Sequence, residues 1–331
     1  MFILLICLIV TLTNASEFYF AEMPSFIPGN ATIWSYDTNT KKTTHIADFA
    51  EDFYSSYSLV SGATVCGNTY YASAVDVMIA WGLMVVDITT GNVKVWDSKL
   101  HFDGMILHNM WCDPADPTGQ TLYAVESTTD NPVFALYKIT VLNYSQAVTQ
   151  TKVGTFDMPK GAAYAGSDTM FQATPDMKEV YCAWSNSNQH GGDIQVMKVA
   201  DGMTTTYSVD GSKQGYPYTI VPLESGKDTV LGALNGLQMS PHSAFTQFKF
   251  SGSKAEVTDM TEGSKVFTGF QPWQIEAEPQ LVHTITNSDS QSIRTFNAVD
   301  GSWTSDIYMT EILSRDDNPD QRKTGGLAVK Q

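Results

Sequence analysis

A short segment of aromatic and small residues recurs along this chain at a nearly fixed interval. That recurrence limits the available folds more than any other feature. Six copies align: Glu17-Phe-Tyr-Phe-Ala, Thr69-Tyr-Tyr-Ala-Ser, Thr121-Leu-Tyr-Ala-Val, Glu179-Val-Tyr-Cys-Ala, Thr229-Val-Leu-Gly-Ala and Gln280-Leu-Val-His-Thr. Their first residues stand 52, 52, 58, 50 and 51 residues apart. Helical periodicity is scarce. Short runs rich in Tyr, Val, Thr and Trp alternate with Gly, Asn, Asp and Pro, the pattern of many short strands.

Each interval holds the same further parts. After the recurring segment comes a pair of strand-like runs around a tight turn, at 33–49, 83–97, 194–210, 245–260 and 293–309, with a longer linker in the copy at 134–157. Before each copy from the second onward lies another strand candidate, as in SGATVCG, LHNMWC, DTMFQAT, YPYTIVP and QPWQIEA. Four strands per period of about 50 residues point to a β-propeller, in which each period is one blade. The strands are lettered a to d from the axis outward, and the recurring segment is strand b. The first repeat has no strand a of its own, whereas GGLAVKQ at the C-terminus is an unassigned strand candidate. The expected architecture is all-β: a six-bladed β-propeller of four-stranded blades, its ring closed by the C-terminal strand joining the N-terminal blade. Closure of this kind removes an exposed sheet edge.

The segments Asp113-Pro-Ala-Asp-Pro-Thr-Gly-Gln-Thr-Leu-Tyr and Thr174-Pro-Asp-Met-Lys-Glu-Val-Tyr resemble the turn-then-strand tags of many propeller families. Lactonases, quinoproteins and pure binding modules share such tags, so the resemblance implies the fold and selects no family. More broadly, the chain resembles secreted six-bladed β-propeller proteins.

Residues 2–12, FILLICLIVTL, form an uncharged apolar run followed by Thr-Asn-Ala-Ser. The run is too short to span a bilayer and reads as a secretory signal, with cleavage near Ala15. The expected organisation is therefore a signal peptide at 1–15 and a single propeller domain at 16–331, secreted and soluble. No other apolar stretch in the sequence reaches membrane length. In an oxidising compartment the cysteines invite pairing. Cys66 and Cys112 fall at the ends of inner strands in adjacent blades and are expected to form a disulfide. Cys182 takes the place of Ala72, Ala124 and Gly232 in the sister strands and reads as a small buried thiol. Asn30-Ala-Thr and Asn143-Tyr-Ser are glycosylation sequons.

Charge narrows the partners. With 35 acidic against 19 basic residues, the net charge is −16, which disfavours nucleic acid and anionic membrane surfaces. In a propeller the b–c and d–a loops crowd one face around the axis. At or near the end of strand b stand Glu22, Asp76, Glu126, Asn186, Asn235 and Asn287, one per blade, which could converge as oxygen ligands for Ca²⁺. Lactonase-type propellers hold an axial metal with a similar mixture, and Glu22, Asp76 and Glu126 are the metal candidates here. Strand ends also favour Asp and Asn for turn chemistry alone. His190 and His242, in b–c loops of neighbouring blades, are further acid–base or ligand candidates, whereas His283 sits within a strand and reads as core. Trp81, Trp111, Trp184 and Trp273 read as packing between sheets rather than as sugar platforms. Acidic loops at Asp113–Asp116 and in 315–320 match no EF-hand spacing.

No zinc motif, Gly-x-Ser-x-Gly elbow, Walker motif or dinucleotide glycine pattern occurs. The reading favoured by the sequence is therefore a binding module that holds an extracellular protein, peptide or glycan on its loop face. The alternative is a Ca-dependent hydrolase, lactonase- or esterase-like, with an axial metal site.

Overall fold

A computed structural model describes residues 17–24, 32–48, 62–75, 81–97, 106–127, 133–142, 148–163, 170–186, 191–209, 216–235, 242–259, 267–268, 272–278, 281–286, 292–297, 302–313 and 322–330. The leader at 1–15, Asn30 and Asn143 lie outside the described residues.

The first repeat supplies β1 (Glu17–Pro24), β2 (Thr32–Asp37) and β3 (Lys42–Asp48). The second supplies β4 (Ala63–Cys66), β5 (Thr69–Val75), β6 (Trp81–Asp87) and β7 (Val93–Asp97). The third supplies β8 (Ile106–Cys112), β9 (Thr121–Ser127), β10 (Phe134–Val141) and β11 (Val148–Phe156). Next come β12 (Ala162–Ala163), β13 (Phe171–Ala173), β14 (Glu179–Asn186), β15 (Gly192–Lys198) and β16 (Thr204–Val209). The fifth repeat holds β17 (Tyr216–Val221), β18 (Thr229–Asn235), β19 (His242–Ser251), β20 (Lys254–Asp259) and β21 (Phe267–Thr268). The last holds β22 (Pro272–Glu278), β23 (Leu281–Thr286), β24 (Ser292–Asn297) and β25 (Trp303–Tyr308). A single helical turn, α1 (Met309–Ile312), and β26 (Arg322–Val329) complete the chain.

These strands build a β-propeller. Four sheets have four strands each, ordered β26-β1-β2-β3, β4-β5-β6-β7, β8-β9-β10-β11 and β22-β23-β24-β25. The C-terminal strand fills the inner position of the first sheet, pairing Phe18 with Val329 and Pro24 with Arg322. The fourth and fifth repeats depart from the expected separate blades by sharing one larger sheet. Their outermost strands β16 and β20 run parallel and pair at Ser208–Lys254 and Val209–Ala255. The inner neighbour of β14 is also split, with β13 along its first half and β12 at its end.

Alternation along the b strands packs sheet on sheet. In β1, Tyr19 and Ala21 enter a seam with Ala63, Val65, Tyr70 and Ala72 of the second sheet. Phe18 and Phe20 face the other way, against Ile285 and Ile293 of the last sheet. In β9, Leu122 and Ala124 meet Tyr71 and Leu83, whereas Tyr123 and Val125 meet Phe171 and Cys182. Tyr181 and Ala183 of β14 meet Ile220 and Val230 of β17 and β18. Each large side chain so buried is worth about 1.5–3 kcal/mol, which explains why the b strands carry the strongest sequence signal. The hairpin turns repeat as well. Asp37 Oδ1 accepts the backbone N–H of Asn39 and Thr40, and Asp87 Oδ1 accepts those of Thr89 and Thr90.

Cys66 and Cys112 are disulfide-bonded with Cα atoms 5.4 Å apart, joining adjacent inner strands as expected. Closing a loop of 46 residues corresponds to about 4 kcal/mol in the chain-entropy view. The double variant C66S/C112S is expected to melt on the order of 10 °C lower in calorimetry; an unchanged Tm would refute a structural role. Cys182 is fully buried, and desolvation raises its thiol pKa well above the ordinary value. It is expected to resist alkylation in the native protein and to react with iodoacetamide only after unfolding, as read by intact mass.

Candidate functional site

The a and b strands of each repeat are antiparallel, so the start of one and the end of the other meet at the same end of the sheet. In the third sheet Ile106 lies opposite Ser127, and Leu107 opposite Glu126. Between Leu107 and Met110 the ladder shifts register, and His108 and Asn109 occupy the bulge. A bulge re-aims side chains relative to a regular ladder, and here it points two polar groups into a buried seam. His108 Nε2 and Ser127 Oγ are hydrogen-bonded at 2.6 Å, and both residues are 3% exposed. The imidazole ring lies 5.2 Å from Phe134 and 5.8 Å from Phe171, centroid to centroid.

Asn109 fixes the bulge from both sides. Its Nδ2 donates to the Phe171 carbonyl of β13 at 3.0 Å, and its Oδ1 accepts the Met110 N–H at 2.9 Å. Across the seam, Gly62 has φ +57° and approaches so closely that a Cβ there would lie 2.7 Å from Asn109 Cα. Glycine at this position lets the second sheet press against the bulge.

The two described carboxylates of the proposed ring are both buried, each 1% exposed. Glu126 follows Leu122 and Ala124 toward the second sheet, opposite in direction to Ser127. Glu22 continues the Phe18–Phe20 side of β1, and its Oε2 accepts the Trp34 indole N–H at 3.0 Å. The structure therefore places these carboxylates in different seams. Asn186 is half-buried at the end of β14, and its N–H donates to the Gly191 carbonyl. Asn235 ends β18 opposite Tyr216 and Ser243, and His242 begins β19 opposite Thr268, so the two bracket one b–c connection. Asp76, His190 and Asn287 lie outside the described residues. Among the described residues no group of three His, Cys, Asp or Glu side chains is placed to hold a metal ion.

Trp184, Trp111, His283, Asp113 and Asp116 take structural roles. Trp184 is buried and donates its indole N–H to Gln195 Oε1 at 2.9 Å, and Trp111 packs partly buried against the third seam. Trp81 begins β6 and Trp273 lies within β22. His283 is buried, with Nδ1 3.0 Å from Thr295 Oγ1 and its ring edge-on to Phe18. In the acidic tag, Asp113 pairs with Lys138 at 2.6 Å. Asp116 binds its own turn: burial raises its pKa, but hydrogen bonds from Thr118 and Thr121 outweigh this and hold it at about 2.

His108 and Ser127 were not among the sequence candidates. The available signal was a polar His-Asn pair interrupting the apolar LHNMWC strand. Ser127 looked like part of a polar loop, and only the ladder shows it to be the buried last residue of β9.

Fold and site together define a β-propeller with a desolvated His–Ser pair at the loop-face end of two inner strands. No family model matches the chain, and no curated protein sequence matches it. Solved structures do. Hydrazine synthase of Kuenenia stuttgartiensis aligns with TM-score 0.52 and 12% identity over 83% of this chain and 76% of that one. Lignostilbene dioxygenase of Pseudomonas brassicacearum aligns with TM-score 0.51 and 9% identity over 89% and 77%. The periplasmic gluconolactonase PpgL of Pseudomonas aeruginosa gives TM-score 0.48 and 9% identity over 88% and 83%. At such identities the likeness concerns the fold alone.

Proposed function

We propose that the protein is a secreted six-bladed β-propeller with a lactonase- or esterase-like hydrolytic site at its loop face, where Ser127 is the nucleophile and His108 the general base. Six b strands and the β26–β1 pairing support the blade count, with the fourth and fifth blades fused through two residue pairs. The Cys66–Cys112 bond suits an oxidising compartment outside the cytoplasm, in keeping with a leader at 1–15 and one domain at 16–331.

The observation that carries the hydrolytic reading is the 2.6 Å contact between His108 Nε2 and Ser127 Oγ in a buried seam. A serine within hydrogen-bond reach of an oriented imidazole is the arrangement that activates a hydroxyl. In the reaction, Ser127 Oγ adds to the carbonyl carbon of a lactone or ester as its proton passes to Nε2. The carbon–oxygen bond to the leaving alcohol then breaks, and His108 returns the proton to that oxygen. Water, deprotonated by His108, attacks the acylated serine, and the acid departs as Ser127 recovers its proton. Bulge geometry held by Asn109 keeps the imidazole in position.

Purified protein is expected to hydrolyse members of a panel of γ- and δ-lactones and short-chain p-nitrophenyl esters. Ser127→Ala is expected to lower kcat by at least about 10²-fold while Tm moves by only a few degrees, and a fluorophosphonate should add covalently at Ser127. Turnover that survives Ser127→Ala overturns the assignment. Absence of both turnover and adduct returns the chain to the binding-module reading, with a protein, peptide or glycan on the same face.

Calcium is the second way to polarise a carbonyl at this face, and Glu22, Asp76 and Glu126 remain its proposed ligands. The serine mechanism uses no metal, so melts in calcium and in chelator are expected to coincide. About one Ca²⁺ per chain by elemental analysis, with a chelator-induced fall in Tm, would move the chemistry to those carboxylates.

A further inference from the structure

A second surface, on the outermost strand of the last sheet and not in the third sheet that carries the His108–Ser127 pair, presents an aromatic side chain to solvent. Trp303 is 61% exposed and Tyr308 39% exposed. Both stand on β25, which pairs with β24 only, among the described residues. The ladder between these strands runs Ser292–Tyr308, Ile293–Ile307, Arg294–Asp306 and Thr295–Ser305, and then slips so that Phe296 faces Trp303. In a regular strand Trp303 would share a face with Ser305 and Ile307, and Ile307 packs into the apolar seam against the first sheet. The bulge turns Trp303 onto the other face, beside Asp306 and its partner Arg294.

The indole is held there. Its Nε1–H donates to Asp306 Oδ1 at 3.1 Å, and Asp306 is itself clamped by Arg294 through Nε and Nη2, both at 2.8 Å. The Arg294 and Asp306 side chains are 23% and 10% exposed, so this pair forms a firm floor. Trp303 thus spends its one N–H donor inward and turns a rigid aromatic surface to solvent. Guanidinium and carboxylate cancel in charge.

We propose that this patch is a carbohydrate platform on which a neutral glycan residue stacks its C–H face over Trp303 while a hydroxyl reaches Arg294. A flat π-surface attracts partly positive C–H groups as it attracts cations, and a few placed polar groups set the orientation. The net charge of −16 acts against sialylated or sulfated glycans at the same place. This site is independent of the hydrolytic proposal and stands or falls separately.

The test is a glycan array printed with neutral, sialylated and sulfated oligosaccharides, probed with the full mature protein and its variants. Wild type is expected to bind neutral glycans. Trp303→Ala should weaken binding at least tenfold with Tm unchanged, Trp303→Phe should keep part of it, and Asp306→Ala should reduce it severalfold by removing the acceptor that holds the indole. Ser127→Ala should bind like wild type. Three results overturn the proposal: no neutral glycan bound by wild type, binding confined to anionic glycans, or neutral binding that survives Trp303→Ala.

Discussion

The pairing of β26 with β1 is the contact on which the rest of the molecule depends. It joins residues some 300 positions apart in the chain and gives the first sheet its inner strand. Without it Phe18 and Phe20 would lose Leu327 and Val329, their partners in the seam with the last sheet. The sheets stack on one another through apolar seams, so an open end would expose one such seam to water and leave a strand edge unpaired. Closure is also costly in chain entropy, because the longest loop in the molecule must form before its contacts reward it. The disulfide between β4 and β8 adds a shorter restraint in the same inner layer.

Much of this was legible in the sequence because it follows from period and alternation. The b strands are buried on both faces, so Tyr70, Tyr123, Tyr181 and their neighbours repeat with little freedom to vary. The cysteine pairing followed from the same register, as did the closing strand. The merger of β16 with β20 was not legible. It involves two residue pairs between polar outer strands, Thr-Thr-Thr-Tyr-Ser-Val and Lys-Ala-Glu-Val-Thr-Asp, which look like any other outer strands. Nothing in their composition distinguishes an edge that meets a neighbour from one that meets water.

The candidate site was harder to see for a related reason. Glu22, Glu126 and the amides drew notice because they end strands, yet alternation sends the two carboxylates into separate seams. His108 and Ser127 come together only because one residue is added to the inner strand of the third sheet. Such an addition shifts the facing of every residue before it, and a sequence pattern read with a period of two does not register it. Trp303 was hidden in the same way, by a bulge in β25 that moves it from the face of Ile307 to the face of Asp306.

Both bulges sit on strands whose partners are otherwise regular, and this contrast links fold to chemistry. The propeller fixes backbone positions through its ladders and seams, and a local slip then aims a polar or aromatic group without disturbing the ring. At His108 the slip is stabilised by Asn109, which bridges to β13, and by the close approach of Gly62. At Trp303 it is stabilised by the Arg294–Asp306 pair. A side chain held by such second contacts loses little further freedom when it engages a ligand, so less of the interaction is spent on ordering. On the two proposed readings, a rigid ring with two locally re-aimed side chains separates where a molecule is gripped from where it is changed.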